Sequence, residues 1–243
     1  MRILVISDIH ANYIALEAVL ADAGKVDAVW CLGDIVGYGP DPNACIERVR
    51  ELPGLTCVLG NHDMAVLGKV PHTAFNVDAR RSLAWQERVL MADNMDFLRS
   101  LPHTVQVRDH VSLVHGSPRD PIWEYILNTL TARINFRLLE TPWCFVGHTH
   151  AQSIFRWDEK KQRVYLDIPR PDEPLTLPER AILNPGSVGQ PRDRDPRAAY
   201  AIYYPETKIW EPHRVEYDIE AVQQRIREAG LPLKHALRLA EGW

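Results

Sequence analysis

The residues able to do chemistry fall in short polar runs, each behind an apolar stretch. Asp8 and His10 follow 3–6, Gly33-Asp34 follows 28–32, and Gly60-Asn61-His62-Asp63 follows 55–59. Further on, His115 closes the run VSLVH before Gly116, and Gly147-His148-Thr149-His150 closes WCFV. Carboxylate, imidazole and amide oxygen without thiolate suit divalent manganese, iron, zinc or cobalt in octahedral-like coordination. A closed structural zinc site would call for cysteine, and none of Cys31, Cys45, Cys57 and Cys144 belongs to a C-x-x-C pair. Each run alone has a plainer reading as a turn, since Gly-Asp and Asn-His-Asp are good turn sequences. Their joint occurrence in this order is what points to a metal site. Five of the ten histidines, His10, His62, His115, His148 and His150, stand at strand ends beside glycine or carboxylate. The others, His72, His103, His110, His213 and His235, have no such setting and receive no role.

The elements that must position these groups alternate in the first third of the chain between short apolar runs and helical patterns, as in βαβ units with a largely parallel sheet. Strands are expected over 3–6, 28–32 and 55–59, a helix over 12–23 stopped by Gly24, and another from Asp41-Pro42 to about Glu51. Parallel strands bring their C-terminal ends to one edge, where open α/β sheets hold ligands, so Asp8/His10, Asp34 and Asn61/His62 reach one rim. In extended chain, residues two apart point the same way, so Asp8 with His10 and His148 with His150 are expected to converge as pairs.

Downstream, 77–101 reads as helix with a break near Asp93, and TVQVR with VSLVH as a hairpin turning at Asp109-His110. The segments 143–146, SIFRW, QRVYL, RAILN, AAYAIYY and KIWEPHRVEY follow as strands of a second, more antiparallel sheet. Four prolines within 169–178 argue for a surface loop, and the helix from Ile219 is broken at Gly230 and Pro232. The expected fold is α/β, two packed mixed β-sheets flanked by helices in a four-layer α/β/β/α sandwich. It forms a single domain over 1–243 with loop insertions near 118–142 and 168–180.

A chain of 243 residues, 46% hydrophobic, can bury one large core. No apolar run is long enough to span a bilayer and no signal peptide is visible, so a cytoplasmic protein without membrane attachment is expected. Three cysteines lie inside apolar runs, which reads as free thiols in a reducing compartment. A formal net charge of −4 is a poor match for a protein that coats long nucleic acid, but not for a small anionic substrate met by bound cations. Oligomeric state is left open.

The series SDIH, GDIVGYG, GNHD, HGSP and GHTH resembles the calcineurin-like metallophosphoesterase family, and NPGSVGQPRD is similar to its small bacterial phosphodiesterase branch. The motifs span 7–192; Ala11 stands where many relatives carry glycine. The resemblance implies one metal held by Asp8, His10 and His150, another by Asn61, His115 and His148, and Asp34 bridging both. Manganese is the first choice for the two divalent ions, with iron, zinc, cobalt or nickel as alternatives. Two such ions roughly 3.5–4 Å apart can share a water, lower its pKa and align the hydroxide with phosphorus. His62 is then free to face the leaving oxygen, with Asp63 as a candidate to orient its ring.

Asn12, at the start of the first helix, could meet phosphate through the helix N-terminus, or serve as a cap alone. Arg119, Arg170 and Arg192 lie in loops near the expected site, and Trp123 and Tyr125 offer stacking faces or packing anchors. The implied activity is hydrolysis of small phosphoesters by a broad-specificity phosphodiesterase. A phosphomonoesterase, a dinucleoside polyphosphate hydrolase and a serine/threonine protein phosphatase are the alternatives on the same fold. A non-catalytic scaffold is a further reading, against which stand His62 and the complete ligand set. A metal-dependent nuclease would want a basic groove that the charge does not supply.

Overall fold

The first strand, Ile3–Ile6 (β1), carries no polar side chain and is wholly buried, so both of its faces must be covered. The computed structural model describes residues 1–107 and 110–243. In chain order β1 is followed by α1 (Tyr13–Ala23), β2 (Ala28–Cys31), α2 (Pro42–Arg50), β3 (Thr56–Cys57) and α3 (Asn61–Val66). Then come α4 (Val77–Val89), α5 (Ala92–Ser100), β4 (Thr104–Val107), β5 (Val111–Val114), α6 (Thr129–Phe136) and β6 (Trp143–Phe145). The remainder comprises β7 (Gln152–Asp158), β8 (Arg163–Asp167), β9 (Leu175–Thr176), β10 (Ala181–Pro185), β11 (Ala198–Tyr204), β12 (Ile209–Val215), α7 (Ile219–Glu228) and α8 (Leu233–Glu241).

Two six-stranded mixed sheets result, in the orders β3-β2-β1-β11-β12-β9 and β4-β5-β6-β10-β7-β8. The period of two along β1 divides its side chains between layers. Ile3 and Val5 join Trp30, Phe145, Tyr203 and Trp210 between the sheets, while Leu4 and Ile6 face Leu16, Val19 and Ile46 of the helices outside. On the far side Ala132 and Phe136 of α6 pack against Val114, Cys144 and Phe155 of the second sheet. The layers are therefore α/β/β/α. Burying a side chain such as Trp210, with no exposed surface, contributes about 1.5–3 kcal/mol.

The strands of the last third do not all enter one sheet. β11 runs antiparallel beside β1, with Leu4 opposite Ile202, and β12 follows it, while the β4-β5 hairpin joins the second sheet through β6. Chain order predicts neighbours within a hairpin but not which apolar face, here that of β1, a later hairpin will cover. The proline-rich segment contains the edge strand β9, paired with β12 at Leu175 and Thr176, so its prolines shorten a strand rather than exclude one. The 118–142 segment holds α6, capped by Asn128, which accepts from Leu130 and Thr131 N–H. The helical break at 90–91 falls before Asp93, and Met91 precedes α5 as its cap. Asp41 makes no cap bond to α2; its carboxylate meets Arg225 of α7. Of the expected hairpin turn, Asp109 lies outside the described residues. No helix among the described residues is long and apolar enough to cross a membrane.

Candidate metal centre

β1, β2 and β3 are mutually parallel, as are β5, β6 and β10, and the loops at their C-terminal ends meet between the two sheets. Tight turns there require unusual backbone. Asp8 (φ 53°), His10 (49°), Asp34 (54°), His148 (66°) and His150 (59°) all lie in the left-handed region, as does Ala11 (51°). Such conformations in residues other than glycine are costly and cluster where surrounding structure imposes them. The Asp8/His10 and His148/His150 segments are thus not extended. Asp8 and His10 still converge, but His148 and His150 turn to different clusters, because αL geometry breaks the two-residue alternation. Glycine is needed at position 60, where a Cβ would collide with the Asp34 carboxylate, and at position 37, where it would strike the His62 ring.

Three groups of ligand atoms form there, each with atoms within 4.8 Å of one another: Asp8, His10 and His150; His10, Asp34 and His62; and Asp34, His115 and His148. All are buried. His150 Nε2 lies 3.3 Å from Asp8 Oδ1, His10 Nε2 3.1 Å from His150 Nε2, and His115 Nε2 3.1 Å from both Asn61 Oδ1 and His148 Nδ1. Asp34 Oδ2 stands between the halves, 3.6 Å from His10 Nε2 and 3.4 Å from His115 Nε2. The structure therefore brings together all seven residues of the expected ligand set, with Asp34 central.

These residues fit divalent cations on their own chemistry. Asp8 Oδ1 and Asp34 Oδ2 are buried, meet no hydrogen bond of good geometry among the described residues and face only imidazole nitrogens at 3.3–3.8 Å, a setting that a cation between carboxylate and imidazoles would satisfy. Four of the five clustered histidines, His62 being the exception, commit one ring nitrogen to a backbone carbonyl: His10 to Val36 (3.0 Å), His115 to Leu32 (2.8 Å), His150 to Gln190 (2.6 Å) and His148 to Trp123 (3.2 Å). Donating that N–H leaves the other nitrogen's lone pair facing inward, as metal-ligating histidines do. The other Asp8 oxygen accepts from Ser7 Oγ (2.7 Å) and His148 N–H (3.0 Å), which leaves Oδ1 to the centre. All four cysteines are buried free thiols away from it.

Electrostatics follow from burial. It opposes a charge on Asp34, yet the surrounding imidazoles, His115 first, hold that carboxyl well below the carboxylate range. Burial likewise opposes a charge on His115, but the Asp34 carboxylate more than reverses this and lifts it to about 10. Burial raises Asp8 to about 6, lowers His148 to about 3 and His62 to about 4, and keeps His10 and His150 well below their ordinary value. Metal-free protein at neutral pH thus presents four neutral imidazoles and one that must lose a proton before it can ligate. Metal loading at neutral pH is expected to release that His115 proton. Retention should weaken as pH falls below about 10 through the His115 proton and more steeply below about pH 6, where Asp8 also takes one, by roughly tenfold per pH unit per proton displaced. Metal analysis after dialysis at about pH 5 and about pH 7.5 checks this; equal metal contents would contradict it.

One expectation is corrected and one open choice is decided. Asp63 does not orient the His62 ring: its Oδ2 accepts from Asp34 N–H (2.8 Å) and Gly60 N–H (3.0 Å), and its Oδ1 from Val36 N–H (3.1 Å). Wholly buried, it pins two ligand loops together by satisfying their backbone donors, while His62 Nδ1 has no partner among the described residues. Asn12 takes the cap reading of its two: its Oδ1 accepts from Ala15 N–H (3.1 Å) and its Nδ2 donates to Gly189 O (3.0 Å), so its side chain ties α1 to the 184–190 loop. Arg119 and Arg170 turn to Glu124 and Glu173.

The position of Tyr38 and the contacts of the 184–190 loop with the ligand loops are not read from the sequence, whereas Tyr125, expected as a stacking face or packing anchor, does stack on a clustered histidine. Tyr38 packs on His10 and His62 at 4.6 and 4.5 Å, and Tyr125 stacks on His148 at 3.8 Å. Asn184 Nδ2 donates to Gly147 O (2.7 Å) and Ser187 Oγ to Asp8 O (2.8 Å), so NPGSVGQ clamps the ligand loops together. The motif resemblance marks the loop in the sequence without indicating this clamp.

Residues 1–208 match the model of the calcineurin-like phosphoesterase superfamily domain. A crystal structure of a metallophosphoesterase from Sphaerobacter thermophilus superposes with TM-score 0.91 at 51% identity, covering 100% of this chain and 99% of that one. An uncharacterised protein of Methanocaldococcus jannaschii is 37% identical over 241 residues, 95% of this chain and 93% of its own length. A symmetrical bis(5′-nucleosyl)-tetraphosphatase of Shewanella baltica is 26% identical over 163 residues, 63% of this chain and 58% of its own length.

Proposed function

Because the chain belongs to the calcineurin-like phosphoesterase superfamily, a family of metal-dependent hydrolases, we propose that it hydrolyses small phosphoesters, phosphodiesters first, at a centre of two divalent cations. The observation that carries this reading is the buried, unpartnered Oδ2 of Asp34 between two histidine clusters. Asp8, His10 and His150 would hold one cation and Asn61, His115 and His148 the other, with Asp34 placed where it would serve both. Manganese is the first candidate, given the imidazole-rich oxygen and nitrogen donors. Bound cations supply charge to the phosphoryl oxygens and lower the pKa of the attacking water.

The chain's own residues do the rest. Burial of the ligand side chains excludes bulk water, which strengthens each electrostatic contact in the site. His62, neutral and with Nδ1 unpartnered, lies beside His10 and Phe75 with ring centroids 4.9 and 4.8 Å apart. To act as general acid it must first take a second proton. Burial disfavours that imidazolium, an anionic substrate beside it favours it, and from that form it gives the proton to the departing oxygen as the P–O bond breaks. The tetraphosphatase relative favours a second reading, hydrolysis of a dinucleoside polyphosphate. A reducing, cytoplasmic setting belongs to the same proposal and rests on the four free thiols.

Removing metal with chelator should abolish hydrolysis of bis(p-nitrophenyl) phosphate while circular dichroism stays native, because the core does not depend on a metal staple. Manganese should restore activity at least as well as magnesium. Hydrolysis that persists after complete metal removal would refute the proposal.

A further inference from the structure

With Asp63 engaged by backbone, no hydrogen bond among the described residues orients the His62 ring, and its buried Nδ1 has no partner. Packing holds the ring instead. The Tyr38 ring lies 4.5 Å away, Phe75 4.8 Å and His10 4.9 Å, and the Gly37 backbone presses so closely on His62 that no side chain fits there. Two of these four supports, Gly37 and Tyr38, belong to one short segment. Its backbone is irregular, with φ of 100° at Gly37 and 54° at Tyr38, and it takes part in no helix or strand. Such a segment keeps its shape only where the surroundings impose it.

Gln86 supplies that constraint. It lies on α4 with no exposed surface, and its amide spans Tyr38: Oε1 accepts from Gly37 N–H (2.7 Å) and Nε2 donates to Gly39 O (2.8 Å). No other hydrogen bond among the described residues reaches either of these buried backbone groups. The end of α4 is itself tied down, since Asn43 Nδ2 donates to Val89 O (2.7 Å) and Asn43 Oδ1 accepts from Met91 N–H (2.9 Å). Gln86 therefore fastens the segment to a fixed element. Arg192 Nη2 donates to Tyr38 Oη (3.2 Å), and Gly39 N–H donates to His10 O (3.1 Å), so the same segment also meets a ligand loop.

We propose that Gln86 is a positioning residue for His62, acting through the 37–39 backbone and the Tyr38 ring. A primary amide is the side chain that offers one donor and one acceptor side by side, as this segment needs. An apolar side chain at 86 leaves a buried N–H and a buried carbonyl unpaired, and the segment relieves that by shifting away from the His62 ring. The inference rests on the reading of His62 as the acid for the departing oxygen and adds what aims it. A displacement of about 1 Å at an aligned catalytic group can cost about 100-fold in rate, even when the substitution lies outside the chemistry.

Gln86→Met, similar in shape but without the amide, tests this in the full chain at saturating manganese, with melting curve and metal content measured alongside. On an alkyl phosphodiester it should lose about 10–100-fold in kcat with KM little changed, and far less on a nitrophenyl ester. In a His62→Ala background the same substitution should cost almost nothing, because no ring is left to aim. Gln86→Glu keeps the acceptor for Gly37 and, with its carboxyl protonated as burial favours, the donor for Gly39, so it should lose less than Gln86→Met. Should Gln86→Met not fold, Gln86→Asn, whose amide is too short to span both groups, takes its place with the same expectations. In zinc-loaded protein, which is diamagnetic, the His62 ring signals, identified by their absence in His62→Ala, should shift and broaden in Gln86→Met. Those of His115 and His148, which pack on each other and on Tyr125, should hold. Equal losses on both esters, a loss that persists without His62, unchanged His62 signals, or release of metal from Gln86→Met would each overturn the assignment. Equal losses on both esters in His62→Ala itself would instead remove the acid on which the inference rests.

Discussion

Replacing Asp34 with asparagine is expected to strip the protein of both metal ions. Its Oδ2 faces His10 on one side and His115 on the other, and Oδ1 accepts the His62 N–H at 2.9 Å, which fixes the carboxylate in that orientation. An amide keeps the shape and removes the charge that each ion shares, so affinity should fall more than the roughly 10–100-fold typical of losing an outer-shell partner. His115 would also lose the carboxylate that lifts it to about 10. Metal analysis of the purified variant decides the matter. His72→Ala and His213→Ala, which remove imidazoles paired with Glu87 and Asp172 far from the ligands, should leave metal content unchanged. Two tightly held ions in Asp34→Asn would show that the carboxylate does not bridge.

The second large effect is expected at His62. If it protonates the departing oxygen, His62→Ala should lose about 10²–10⁴-fold in rate on an alkyl or nucleoside ester and far less on a nitrophenyl ester, whose leaving group is stable as an anion. Both metals should stay bound. Equal losses on the two esters would indicate instead stabilisation of the phosphoryl oxygens, which is largely indifferent to the leaving group. Because His62 lies within ligand range of His10 and Asp34, metal loss from the variant would make it a ligand and remove it as the acid.

The ligand loops were legible in the sequence because parallel strands send their C-terminal ends to one rim, and polar residues after apolar runs mark those ends. Asp8, Asp34, Asn61 and His115 could be placed that way from type and order alone. The division of His148 from His150 could not, since it depends on two αL turns whose cost is met by surrounding packing rather than by local propensity. Asp63 was misread for a related reason. A carboxylate in a turn looks exposed until the backbone N–H groups of Asp34, Val36 and Gly60 converge on it from two loops. Tyr38 and Arg192 gain their positions from contacts spanning 154 residues, which no window of sequence displays. The same holds for β11, whose place beside β1 is decided by which apolar edge is open.

Anomalous diffraction from crystals of the manganese-loaded protein tests the two-metal centre most directly. Two peaks are expected, one against Asp8, His10 and His150, the other against Asn61, His115 and His148, with Asp34 touching both. A single peak at full metal loading, or two peaks that do not share Asp34, would contradict a bridged dinuclear centre.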